Sequence, residues 1–293
     1  MNIENYCELL ERWGQRTIHG QSTYWTERSR GIFLNLPPYS IIDLDEGEMV
    51  ELLSQPGVLG LKYSSEPKGN GQPGAIYLLS DKSYDLTKLH KNTRHSVRRG
   101  LETCRVEQIR FDELKAKGMQ ANLDTLSRQK RDDPTFSRPE QWVNFCDAAA
   151  AVEGAGVWGA FVKDELAAYA VTFIIDDYCS ILHEMSRTDM MQCHANPALI
   201  YTIHREVLAV PGINHISGGP TPILDLPTLD RYKTRFGYEK RPVHFRVKLR
   251  PWLGGLLLNP AGRGALSLAR RVAPDLDVLK RADGILGIAL ASH

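Results

Sequence analysis

The 293-residue chain has no excess of charge of either sign: 36 lysines and arginines stand against 35 aspartates and glutamates, for a net charge of +1 with its 9 histidines neutral. A surface that acts as a whole as an electrostatic clamp on nucleic acid is therefore excluded, and any basic patch has to be local. Paired cysteines are lacking too. Cys7, Cys104, Cys146, Cys179 and Cys193 are odd in number, scattered, and never spaced C-x-x-C, so neither a disulfide framework nor a zinc site is expected, and a reducing, cytoplasmic setting fits. Long apolar runs are also missing. GILGIALA at 284–291 falls far short of the roughly 20 residues that cross a bilayer, so no membrane span is expected. The N-terminal MNIENYCELLERWGQR places charges among its apolar residues and has no apolar core of a secretion signal. No segment repeats at a fixed period. What is present, 42% hydrophobic and 24% charged residues, is the composition of a soluble globular protein with room for one large domain or two ordinary ones.

Residues 31–80 read as short strands, GIFLNL, YSIIDL, GVLGLKYS and AIYLLS, separated by Pro37-Pro38, the loop KGNGQPG and a helix-like DEGEMVELL. Next, Asp85 is placed to cap a helix that Gly100 ends. At about 100° per residue, Leu86, Leu89, Thr93, Val97 and Leu101 share one side of it, while Lys88, Lys91, His95, Arg98 and Arg99 share the other. A strand CRVEQIRF, a long helical run at 112–131 and a helix from Pro139 to about Val152 follow. Three strands then succeed one another, VWGAFVK, ELAAYAVTFII and YCSILHEMS, joined by polar turns at Asp164 and Asp176-Asp177, the pattern of an antiparallel meander. After them come a helix with Asn196 as N-cap and Pro197 at its first position, a strand INHISGG, a helix opened by Pro227 and a strand RPVHFRVKL. His204 and Arg205, within the helix after the meander, read as packing or surface residues. The tail beyond Pro251 is first broken by Gly and Pro and then helical over ALSLARRVA and LDVLKRADGILGIAL, packing as an appendage. The expected divisions are 1–85, a strand-rich half; 86–250, the main domain; and 251–293, the helical tail.

In LDRYKTRFGYEK, 229–240, the helical wheel sets Leu226, Leu229, Tyr232 and Phe236 on an apolar arc with Lys233 at its margin, while Arg231 and Arg235 project away. One cation of three thus leans inward. Such a lysine either lays its methylenes along the core edge and reaches water, or presents its ammonium to a cleft.

The element order from 103 to 249 resembles the GNAT acyltransferase fold: an α/β (α+β) architecture with a mixed, mostly antiparallel central sheet flanked by helices. LTKLHKNTRHSVRRG followed by SGGPTP and LDRYKTRFGYE resembles, more narrowly, the Fem-like branch of that superfamily, through its Lys-x-x-Arg helix and its aromatic-Lys-x-x-Phe helix. The likeness spans about Gly31 to Leu249 and makes the N-terminal half a smaller, truncated GNAT-like unit. It implies an N-acyltransferase that moves an acyl or aminoacyl group from acyl-CoA or aminoacyl-tRNA to an amine-bearing small molecule or peptide, without a metal. Lys233 would stabilise the oxyanion. For the general base, Glu184 is the first choice, with His183, His194 and Asp230 as further candidates; successive strand residues face opposite sides, so the sequence leaves His183 and Glu184 open. Lys91, Arg94 and Arg98 would border the substrate groove, and Tyr232, His194 and Asn196 are candidate substrate contacts. The loop TDMMQCHANPA departs from the family pattern by lacking the glycines that cradle a coenzyme A pyrophosphate; free N–H groups at the helix start near Asn196 are the alternative phosphate site. SRQKRDD at 127–133 extends the basic patch but carries two aspartates. The competing reading is a non-catalytic GNAT-fold module that binds RNA or a nucleotide-linked ligand through the basic helix.

Overall fold

The computed structural model describes residues 2–222, 226–262, 264, 267, 271 and 277–292. The chain divides into two compact units built from interleaved segments, Met1–Gln15, Leu78–Gly218 and Thr228–Glu239 in one, Arg16–Tyr77, Gly219–Pro227 and Lys240–His293 in the other. The sequential divisions at 85 and 250 differ from this because strand pairing joins distant segments.

That is clearest in the unit holding residues 16–77. Its strands are β1 (Thr17–His19), β2 (Tyr24–Ser29), β3 (Ile32–Leu36), β4 (Gly60–Ser65) and β5 (Gln72–Leu79), with β11 (Glu239–Leu249) inserted, in the order β1-β2-β3-β4-β11-β5. Six residues of β11, His244 to Leu249, pair antiparallel with β4. Helix α2 (Glu46–Ser54), capped by the Asp45 side chain, packs Leu52 and Leu53 onto Trp25, Phe33, Leu61 and Tyr63. YSIIDL is not a strand: its apolar alternation finds a single isolated bridge, Ile41 to Ser64. The described end of the tail packs within this unit. The terminal helix Asp277–Ala291 buries Leu286, Ile288 and Ala289, and Ser292 Oγ accepts the Val247 N–H at 3.1 Å. The expected helix ALSLARRVA lies for the most part outside the described residues.

The other unit is organised by the meander of β7 (Ala155–Val162), β8 (Glu165–Ile175) and β9 (Tyr178–Ser186), with β6 (Arg105–Ile109) antiparallel to β7 and β10 (His215–Pro220) parallel to β9. The long helical run breaks at Gly118 into α4 (Phe111–Lys117) and α5 (Met119–Gln129); a Cβ at that position would lie 2.8 Å from the Trp142 ring. With α1 (Ile3–Arg12), α6 (Pro134–Ser137) and α7 (Pro139–Ala150), these helices cover one face of the sheet, where Phe136, Trp142 and Phe145 bury Tyr169, Val171 and Met185. The opposite face is covered by α8 (Ala195–Ala209), which is buried on almost every side. Among the described residues no helix is long and apolar enough to cross a membrane.

α3 (Lys91–Thr103) packs on α8. Asp85 caps only a 3₁₀ turn, Leu86–Lys88; His90 is the N-cap of α3, and Gly100 lies inside the helix and does not end it. The reason is steric. A Cβ on Gly100 would overlap the His194 carbonyl and sit 2.8 Å from the Ala198 side chain, so glycine permits the close crossing. Gly100→Val is expected to lower stability by about 1–3 kcal/mol through overpacking, read as a fall in urea midpoint at constant m.

Candidate functional site

Helix α9 (Pro227–Arg235) carries the lysine of interest. Its last turn ends in Gly237 at φ +89°, a left-handed position that glycine adopts without strain, which folds Tyr238 back so that its N–H bonds the Lys233 carbonyl at 3.2 Å. The Lys233 Nζ then lies 4.9 Å from the centre of the Tyr238 ring and 5.8 Å from that of Tyr232. Lys233 is half-buried. Burial lowers the pKa of its ammonium below the ordinary lysine value, and the negative charge of Glu184 only partly opposes this. Among the described residues the ammonium has no hydrogen-bond acceptor and no ion-pair partner within 4 Å. Its charged donors therefore sit in a partly desolvated place beside two aromatic faces, within the attraction of Glu184.

Glu184 faces this lysine because of an irregularity in β9. Val171 pairs with His183 but Thr172 pairs with Ile181, so Leu182 is an extra residue. The bulge shifts the alternation by one. His183 therefore shares a face with Met185 and packs against Phe136, Phe145 and Trp13, with ring centres 4.4, 5.3 and 5.8 Å away. Glu184 takes the other face. Its Oε1 accepts the Tyr232 hydroxyl at 2.8 Å and the Asn196 Nδ2 at 2.5 Å, while Oε2 receives no hydrogen bond from the described residues. Burial, reinforced by Glu184, raises the Tyr232 phenol well above the ordinary tyrosine value, which keeps it a donor.

Asn196 is not the N-cap of α8. That position is His194, left-handed at φ 54°, whose side chain makes no capping bond; the carboxamide of Asn196 is thereby freed to hold Glu184. Since a carboxylate cannot donate, Nδ2 must face Glu184, and the buried Asn196 Oδ1 is left without a partner among the described residues.

Beneath the lysine runs a polar chain that sequence reasoning missed. His204, fully buried on α8, contacts the Tyr84 hydroxyl through Nδ1 at 3.2 Å and the Tyr238 hydroxyl through Nε2 at 2.9 Å. Tyr84 donates to the Phe236 carbonyl at 3.0 Å, so its oxygen accepts from Nδ1–H, and Nε2 is left to accept from Tyr238. Burial, assisted by the Lys233 charge, lowers the His204 pKa from 6.5 to about 3, so the ring is neutral. A histidine amid an apolar helical pattern was its only trace in the sequence.

A cleft of about 390 Å³ opens beside Tyr232, lined by Asn92, Thr93 and Ser96 of α3 and by Arg231, Tyr232 and Arg235 of α9. Arg231 and Arg235, which the wheel turned away from the core, are turned into this cleft. Lys91, Arg94 and Arg98 are not among its lining residues; Lys91 and Arg98 are exposed and Arg94 half-buried on other sides of α3. A larger hollow of about 920 Å³ lies between β6, β7 and the end of α8 and contains none of the site residues. Among the described residues no group of three or more His, Cys, Asp or Glu is gathered to hold a metal.

No family model matches the sequence, and no curated protein matches it significantly. Solved structures do match. FemX superimposes with a TM-score of 0.60 over 87% of this chain and 93% of its own, at 11% identity. The C-terminal DUF2156 domain of an Agrobacterium fabrum protein gives 0.58 over 88% and 93%, at 13%. The chain has the fold of FemX. L-PGS from Bacillus licheniformis shares it, with a TM-score of 0.55 over 83% of this chain and 87% of that one, at 12% identity. The Fem-like fold accounts for the expected mixed, mostly antiparallel sheet flanked by helices.

Proposed function

We propose that the chain is an N-acyltransferase whose centre is Lys233 with Glu184, fed by an activated acyl or aminoacyl donor. The observation that carries this reading is the Lys233 ammonium: partly desolvated, positively charged and without an acceptor among the described residues. An oxygen that gains negative charge as an amine adds to a carbonyl is the partner such a group lacks, and a donor aimed at it is worth about 3–4 kcal/mol of barrier. In the step proposed, the amine nitrogen bonds to the acyl carbon. The bond from that carbon to the donor's sulfur or ribose oxygen breaks, and the proton lost by nitrogen passes to Glu184, which Tyr232 and Asn196 hold in place. Likeness in fold to FemX and L-PGS supports transfer chemistry of this kind.

The cleft beside Tyr232 suits the phosphates common to acyl-CoA and aminoacyl-tRNA, since Arg231 and Arg235 enter it together with hydroxyl and amide donors from α3. The test is to incubate the purified chain with each donor and a pool of amines and to search for new amides by mass spectrometry. Amide formation from one donor is expected. Arg231→Ser with Arg235→Ser should raise KM for that donor about tenfold with little change in kcat, and added salt should raise the wild-type KM. Salt-dependent RNA binding without any amide product would favour the non-catalytic module. Failure of both donors to give product above a protein-free control would reject the proposal.

A further inference from the structure

The unit holding residues 16–77 carries an apolar surface that the proposed chemistry does not use. It begins at Arg250, whose guanidinium binds the carbonyls of Leu53 and Ser54 at 2.7 Å each and so fixes the start of α10 (Pro251–Leu257) against the end of α2. From Pro251 to Leu258 the sequence is PWLGGLLL, without one polar side chain. A helix apolar on every side normally lies in a core or a membrane. This one lies at the surface: Leu253, Leu257 and Leu258 are half-buried, but Trp252 is 59% exposed and Leu256, one turn on, is 57% exposed. Gly255 and Asn259 continue that outward stripe at the i, i+3, i+4, i+7 spacing of a single helix face. Isolated exposed apolar residues are ordinary; two large ones side by side, with nothing polar between them, mark a surface that meets a partner.

Charge identifies the partner. Between Arg250 and Pro274 the sequence holds Arg250, Arg263, Arg270 and Arg271 and no acidic residue, +4 in 25 residues of a chain whose total is +1. Of these, Arg271 is described as exposed on a helical residue. A second copy of the same surface would bring like charges together. An anionic bilayer is complementary on both counts, because tryptophan and leucine enter the boundary between headgroups and acyl chains while arginines meet the phosphates. We propose that α10 is a membrane-surface anchor, with Trp252 and Leu256 inserted into an anionic lipid surface and the exposed Arg271 drawn to its headgroups. It lies on the bilayer and does not span it.

The experiment is co-sedimentation of the full chain with vesicles of phosphatidylcholine alone and of mixed phosphatidylcholine and phosphatidylglycerol. The wild type should sediment with the mixed vesicles and remain soluble with phosphatidylcholine, and added salt should release it. The double variant Trp252→Ser, Leu256→Ser should bind at least about 10-fold more weakly, whereas Trp252→Phe retains binding. Both positions are exposed, so melting curves by circular dichroism should coincide with wild type. Sedimentation independent of vesicles, or equal for the double variant, would overturn the proposal. So would concentration-dependent self-association in the ultracentrifuge that the double variant abolishes, since that would assign the surface to a second copy.

Discussion

Replacing Lys233 with methionine is expected to lower kcat/KM about 100- to 1,000-fold while raising the temperature of unfolding. Loss of activity follows from removing the donor to the developing oxyanion. The gain in stability follows from the same burial. Methionine keeps an unbranched side chain of similar bulk that can pack on Tyr232 and Tyr238, and it removes a partly desolvated charge that has no acceptor among the described residues. The pH dependence has a definite sign. Because burial lowers the lysine pKa in the folded protein, the unfolded chain holds its proton more tightly, and the penalty of the charged form is present at neutral pH. It fades as pH rises toward the ordinary lysine value of 10.5, where the melting temperatures of wild type and variant should converge. Earlier unfolding of Lys233→Met at neutral pH, or unchanged turnover, would show that the lysine serves packing alone.

Acid should destabilise the protein through His204. Its folded pKa of about 3 lies below the ordinary 6.5, so stability is fully present above pH 6.5 and is lost as pH falls toward 3, while the unfolded chain takes up a proton that the buried ring refuses. For one such group the slope is about 1.4 kcal/mol per pH unit. Across this window the loss is a large part of the roughly 5–15 kcal/mol that holds a domain folded. His204→Gln retains one donor and one acceptor for Tyr84 and Tyr238 but cannot titrate. Its stability, measured by urea unfolding at pH 7, 6 and 5, should start lower than wild type and fall less steeply. Parallel curves for the two proteins would remove His204 as the source of acid sensitivity.

Much of the frame was legible in the sequence. Polar turns at Asp164 and Asp176-Asp177 between apolar strands wrote the meander, which the structure forms. The wheel for 229–240 put Lys233 at the edge of the apolar arc, and that is where a half-buried ammonium is found. Strands β1 and β2 escaped, because a three-residue segment such as TIH and a charged one such as YWTERS carry no clear alternation. YSIIDL was read as a strand because its apolar residues resemble one, and it pairs at a single position.

Local pattern settled which segments become helix or strand, since period and turn chemistry act within a few residues. It also set Lys233 at the edge of the apolar arc of α9. Only tertiary structure chose Glu184 over His183, through one extra residue in β9 that reverses the alternation. It alone turned Asn196 from cap to clamp, brought Arg231 and Arg235 to the cleft, and placed His204 under the lysine. Bulges and helix crossings depend on contacts between residues far apart in the chain, and no periodicity within a single segment records them.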